Sequence, residues 1–262
     1  MNPADVPLAG EAVYLYCFSQ PGISVPQVIT GVDEGRAIQA LNLGGLSAVV
    51  SWVALVDFTG ETGEANLQNI AWLGPRACRH AAVVEEVMAR APVFPLPFGT
   101  LFSSLLALER EIGRRHHEVA AALEHVTACQ EWSIEVSLDR DRAIDRLLDE
   151  GLQSGRIKLP DAVGRRHLEE KKLRRQLASE LDGWADERLA SMQNRLKPIA
   201  RDFRPRRFSE NLICHWAYLV PSEQVELFRD LVGQFSTRQE SYGLAFRLTG
   251  PWPPYTFCQS AQ

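Results

Sequence analysis

The six histidines are the side chains best suited to acid–base or metal chemistry, so their spacing is weighed first. His116 and His117 are adjacent, and on a helix such neighbours point about 100° apart and do not converge on one ion. His125 follows His117 by eight residues and falls on a similar helical face. At about 1.5 Å rise per residue the pair is roughly 12 Å apart, too far to chelate. His80 precedes Glu85 and Glu86 by five and six residues, not the four of a helical zinc pair, and there is no HExxH run. His116 lies on an apolar stripe and reads as a hydrogen-bonded core residue. Neither GxSxG nor SxxK occurs. The five cysteines (17, 78, 129, 214 and 258) are scattered without a CxxC pair and read as small core residues. Glycine-rich phosphate loops are missing too, and Gly44-Gly45 is better explained as a hairpin turn. Glu85, Glu86 and Glu109 read as solvated helix faces. The pattern predicts no catalytic residue, no metal and no cofactor.

The elements that would position such groups are ordinary for a globular chain. The 262 residues are 45% hydrophobic and 23% charged, with a net charge of −5, which argues against nucleic acid as a partner. No stretch approaches the ~18 apolar residues of a membrane span, and Met1–Pro7 lacks the basic and apolar blocks of a secretory leader. Unpaired cysteines suit a reducing compartment, so a cytoplasmic location is expected. The run Arg165–Arg175 holds six basic and two acidic residues. It reads as a solvated helix face or, with Arg204, Arg206 and Arg207, as a surface that steers an acidic partner. Aromatics do not interleave it as single-stranded nucleic acid would need.

Along the chain, 11–18 is predicted as a central strand apolar on both faces. A hairpin follows, 36–43 and 46–53, turning at Asn42–Gly45. Residues 60–66 are expected to form a loop. A helix beginning near Ala65 is expected to break or shift at Gly74-Pro75 and resume over 78–89. Three prolines around Val93, Phe94, Leu96 and Phe98 predict a short edge strand or an extended segment, not an interior strand. Leu105, Leu108, Ile112, His116, Val119, Leu123 and Val126 then recur at helical spacing behind a Ser103 or Ser104 cap. The second half reads as strand 132–138, helices 139–155 and 161–197, a basic connector 202–208, strand 211–220, a helix from Pro221, and a last strand from 242 that ends at Gly250-Pro251. The chain is therefore predicted to be α+β with two domains: a small N-terminal α+β unit over 1–100 and a modified ferredoxin-like unit over 130–262. Helix 101–129 joins them, and the second carries a helical insertion at about 140–200.

The closing run Leu248-Thr-Gly-Pro-Trp-Pro-Pro-Tyr-Thr-Phe257 resembles the C-terminal signature of the gas vesicle GvpL/GvpF family. Further segments match that family in order. They are Tyr14-Leu-Tyr16, Leu46–Ser51, His80–Arg90, the proline-rich Ala91–Phe102 with its Pro-Phe-Gly-Thr, Glu131–Val136 and Asn211–Val220. The resemblance spans roughly 11–257. Pro97 stands where the family usually has a basic residue, which puts any charge contact there in doubt.

What the resemblance implies is a non-enzymatic accessory protein, required for gas vesicle assembly and associated with the vesicle in the cytoplasm. It would bind the small hydrophobic shell protein, and further accessory proteins as well, and assist nucleation or growth of the wall. Neither membrane nor nucleic acid is expected as a partner. Phe94, Leu96, Phe98, Leu101, Phe102, Trp252 and Tyr255 are the candidate partner-binding residues. For Trp252 two readings stand: a plug for the domain's own core, or part of a docking surface. The alternative for the whole chain is a ferredoxin-like protein that binds a small ligand or acts as an enzyme. That reading calls for an enclosed polar pocket around His80 or His116.

Overall fold

The computed structural model describes residues 10–25, 29–207 and 211–258. They divide into two compact units, Met1–Ala128 with Trp252–Gln262, and Cys129–Pro251.

The first unit is built around β1, Glu11–Ser19, which is almost wholly buried. β2 (Gln39–Leu43) and β3 (Leu46–Ala54) form the antiparallel hairpin, and β3 pairs with β1. On the other side of β1 lie β4 (Val93–Pro95) and β5 (Leu101–Phe102), giving the order β2-β3-β1-β4 with β5 also on β1. An apolar strand needs cover on both faces. One face, with Ala12, Tyr14 and Tyr16, meets Val83, Val84 and Val87 of helix α2 (Ile70–Met88). Helix α3 (Leu105–Val126) packs along β1, β4 and β5 and buries Leu108, Ile112, Val119, Leu123 and Val126. Ser104 caps α3 by accepting from the Ala107 N–H at 3.2 Å. His116 is only half-buried at the edge of that stripe, beside His117.

Two expectations fail here. Residues Gly60–Gln68 form a helix, α1, not a loop. Its one buried residue is Gly63, where a side chain would run into the Phe58 backbone, so glycine there serves close packing. Helix α2 also runs unbroken through Gly74-Pro75. Proline removes one hydrogen bond from the ladder, the one the Ala71 carbonyl would have accepted, and a helix this well packed absorbs that loss.

The second unit runs β6 (Cys129–Leu138), α4 (Arg140–Gln153), α5 (Val163–Leu196), β7 (Asp202–Pro205), β8 (Cys214–Pro221), α6 (Val225–Gln239) and β9 (Leu244–Trp252). The sheet order is β7-β8-β6-β9, with β8 antiparallel to β6 and β7, the arrangement of a ferredoxin-like sheet with an extra helix in its first crossover. Trp132, Ile134, Val136, Trp216, Tyr218 and Val220 alternate onto one face. Leu189, Met192 and Leu196 of α5 and Phe228, Leu231, Val232 and Phe235 of α6 cover it. Nearer its N-terminus α5 leans on α4 through Leu177 and Leu181 against Ala143 and Ile144.

The basic connector is in part a strand, since Asp202–Pro205 pairs with β8, and Phe208 lies outside the described residues. β9 continues through Gly250-Pro251, a cis peptide, to Trp252. The strand lies at the edge of its sheet, where a missing N–H is tolerated. Gly250 is required: its φ is +143°, and a Cβ there would meet the Glu131 carbonyl and the Trp132 ring. In departure from the expected C-terminal domain over 130–262, the closing segment groups with the first unit. α7, Tyr255–Cys258, contacts α3 and β4 of that unit, and α3 itself belongs there rather than standing between domains.

Candidate docking surface

The residues singled out from the sequence separate into buried and accessible sets. Phe94 and Leu96 are buried, Phe94 against Phe18 and under the Arg115 guanidinium, so they have no surface to give a partner. Phe98, Leu101 and Phe102 are half-buried, and Phe98 and Leu101 pack on the first unit's core. Trp252 is 44% exposed, while Pro253, Pro254, Phe257 and Cys258 are buried. The closing segment thus anchors itself by its prolines, Phe257 and Cys258 and leaves the indole outward. Leu106, in the first turn of α3, adds a further exposed apolar side chain.

Beneath the proline-rich segment lies a network that spacing alone does not reveal. His80, on α2 and 3% exposed, is held at both ring nitrogens. The Gly99 N–H donates to the Tyr14 hydroxyl at 3.0 Å, and that hydroxyl lies 2.9 Å from His80 Nδ1. The Leu96 carbonyl beside Nε2 can only accept, so Nδ1 is the bare nitrogen and the Tyr14 hydroxyl donates to it. Nε2 then carries the imidazole proton and donates toward the Leu96 carbonyl at 3.1 Å and the Tyr255 hydroxyl at 3.2 Å. Tyr16 stacks on the ring at 5.5 Å, and the Phe98 ring stands edge-on at 5.9 Å. The Tyr16 hydroxyl accepts the Val32 N–H and meets Ser51 Oγ, each at 2.9 Å.

Burial dominates the electrostatics. It pushes the His80 pKa down to about 4, against a smaller opposing pull from the Leu96 carbonyl. It raises the Tyr14 and Tyr16 hydroxyls, and lifts Tyr255 to about 12. A neutral, fully partnered histidine among aromatic rings holds segments together and is poorly placed to pass a proton to a substrate. Among the described residues no group of three or more His, Cys, Asp or Glu is placed to hold a metal.

A second histidine in the other unit invites comparison with a nucleophile pair. Ser133 Oγ lies 2.8 Å from His215 Nε2, while Glu135 faces that same nitrogen at 3.8 Å and also pairs with Arg247. A Ser–His–carboxylate relay needs the acid on the opposite ring nitrogen, and here Nδ1 meets the Arg207 carbonyl at 3.3 Å. β6 has a strand on each side, so the backbone around Ser133 is committed to ladders and offers no paired N–H donors for an oxyanion. Ser133 and His215 sit on neighbouring positions of paired strands, a proximity that only the register reveals.

A family model described as gas vesicle synthesis protein GvpL/GvpF matches residues 12–259. The chain belongs to this gas vesicle GvpL/GvpF family. It is 26% identical to gas vesicle protein L of Streptomyces sp. (strain CB03234) over 95% of this chain and 93% of that one. It is 25% identical to gas vesicle protein L2 of Halobacterium salinarum, over 93% and 90%. Its fold resembles the crystal structure of GvpF from Anabaena sp. PCC7120, with a TM-score of 0.71 at 17% identity over 96% of this chain and 98% of that one. GvpF from Microcystis aeruginosa superposes with a TM-score of 0.68 at 20% identity, over 95% and 99%. Seen within the GvpL/GvpF family, the His80 network has a plain meaning. Tyr14, His80, Gly99 and Tyr255 come from four of the segments by which the sequence resembles the family, and they meet around one imidazole.

Proposed function

We propose that this GvpL/GvpF-family protein serves gas vesicle assembly as a non-enzymatic factor that binds the small hydrophobic shell protein and assists nucleation or growth of the wall. The accessible part of the surface is Phe98, Leu101, Phe102, Leu106 and Trp252. Phe94 and Leu96 act from behind as its support, and Tyr255 ties it to His80. The observation that carries this reading is the outward Trp252 on a segment otherwise anchored by buried side chains. A large exposed aromatic on a fixed backbone loses little freedom when a partner covers it, and such residues dominate interface energies. A subunit of a hydrophobic shell would aggregate unless held, and an apolar surface on a well-folded protein suits that task.

Co-expression with the shell protein followed by pull-down tests the proposal. Capture should fall at least tenfold for Trp252→Ala combined with Leu106→Ser, two exposed changes that leave the thermal transition in place. Equal capture by the wild type and the double variant would sink the assignment of the surface. Cells deleted for this gene alone that still make intact vesicles by electron microscopy would sink the assembly role itself.

A further inference from the structure

Two exposed surfaces, one in each unit, remain outside the docking surface, and they are opposite in charge and alike in carrying bare apolar side chains. The first surrounds α1. Leu55, Val56, Leu67 and Ile70 are all exposed there, Ile70 at 79%. Asp57, Glu61 and Glu64 lie among them, and no Lys or Arg occurs between Arg36 and Arg76. Glu61, Glu64 and Leu67 follow at intervals of three, so they share one face of the helix.

The second surface is the outer face of the first half of α5. Leu168 is 68% exposed, and Arg165, Lys171, Lys172 and Arg175 flank it at three, four and seven residues. Val163, at the helix start, is 83% exposed. The opposite face is occupied by α4, where Arg174 pairs with Asp145. The start of α5 is also built against local preference. Ala162 offers no cap, the first turn holds no acid, and Arg165 and Arg166 sit beside the positive end of the helix. Such unfavourable placement of charge is expected where a surface is kept for a partner.

We infer that the basic half of α5 in one molecule docks on the acidic, apolar α1 surface of a second copy, so that the protein associates head to tail. Each surface supplies what the other lacks: cations around one or two apolar side chains on α5, and carboxylates around a larger apolar patch on α1. The two surfaces differ, so the contact is heterologous and each molecule keeps one half unused for the next. Opposed charges at a partly exposed interface make the association sensitive to salt.

Sedimentation velocity on the full chain, at 50 and 500 mM NaCl over a concentration series, tests this. The expected result is a sedimentation coefficient that climbs with concentration at low salt and does so far less at high salt. Lys171→Glu with Arg175→Glu should raise the dissociation constant at least tenfold, as should Glu61→Lys with Glu64→Lys. Joining all four changes in one chain, or mixing the two double variants, should restore association, which mere misfolding would not. A wild-type chain that stays monomeric at 500 µM and 50 mM NaCl would overturn the inference. So would association indifferent to both reversals, or an α5 arm that binds phosphatidylserine vesicles while the chain stays monomeric.

Discussion

At the scale of single residues, His80 is the most constrained group described. Protonating Nδ1 would set its new N–H against the Tyr14 hydroxyl proton, whose oxygen is already taken by Gly99. Burial above all keeps the ring neutral, with a pKa of about 4, while in the unfolded chain it returns to about 6.5. The unfolded state binds the extra proton between those values, so stability is full above pH 6.5 and is lost as the pH falls toward 4. Urea unfolding should show about 2–3 kcal/mol less stability from this one group at pH 4.5 than at pH 7. His80→Gln should flatten that part of the profile, and a variant with an undiminished acid slope would show that another group is responsible. Little of this is visible in the sequence, where His80 lacks a metal spacing and only the alternative reading of a polar pocket points to it. Its partners lie 66 residues upstream and 175 downstream, beyond any local pattern.

At the scale of elements, the closing segment rests on two kinds of contact of unequal weight. Tyr255 contributes one shared hydrogen bond to His80, whereas Phe257 is buried. Tyr255→Phe should cost about 0.5–1.5 kcal/mol, the usual net worth of one hydrogen bond. Phe257→Ala should cost about 3–5 kcal/mol, because the ring leaves a cavity behind. Equal losses in chemical unfolding would mean that the hydrogen bond, not packing, holds the segment. Elements with a strong apolar pattern are legible in the sequence: β1 by its unbroken apolar run, β6 by alternation, α3 and α6 by their stripes. α1 is almost all polar and Gly-containing, so it shows no buried stripe, and α2 keeps its course past a proline because packing outweighs one lost hydrogen bond. β9 outran Gly250-Pro251 because an edge strand has no neighbour on that side to miss the N–H.

At the scale of the whole molecule, the ferredoxin-like plan of the second unit could be read from element order, since strand, helices, strand, helix and strand leave few sheets to build, although β7 stays hidden in the basic connector. The allegiance of the tail could not. Trp-Pro-Pro-Tyr carries no mark of which core receives it, and its allegiance shows only in the fold, where Tyr255 meets His80 and α7 packs on α3 and β4. The first unit is thereby made from the two ends of the polypeptide, with 129–251 emerging between them. During synthesis, then, residues 1–128 carry an unfinished hydrophobic slot until the closing segment follows 129–251. A 129–251 fragment should express as a folded species with dispersed amide resonances, and a 1–128 fragment should need a chaperone or aggregate. A well-dispersed spectrum from 1–128 alone would show that the slot closes without its last tenant.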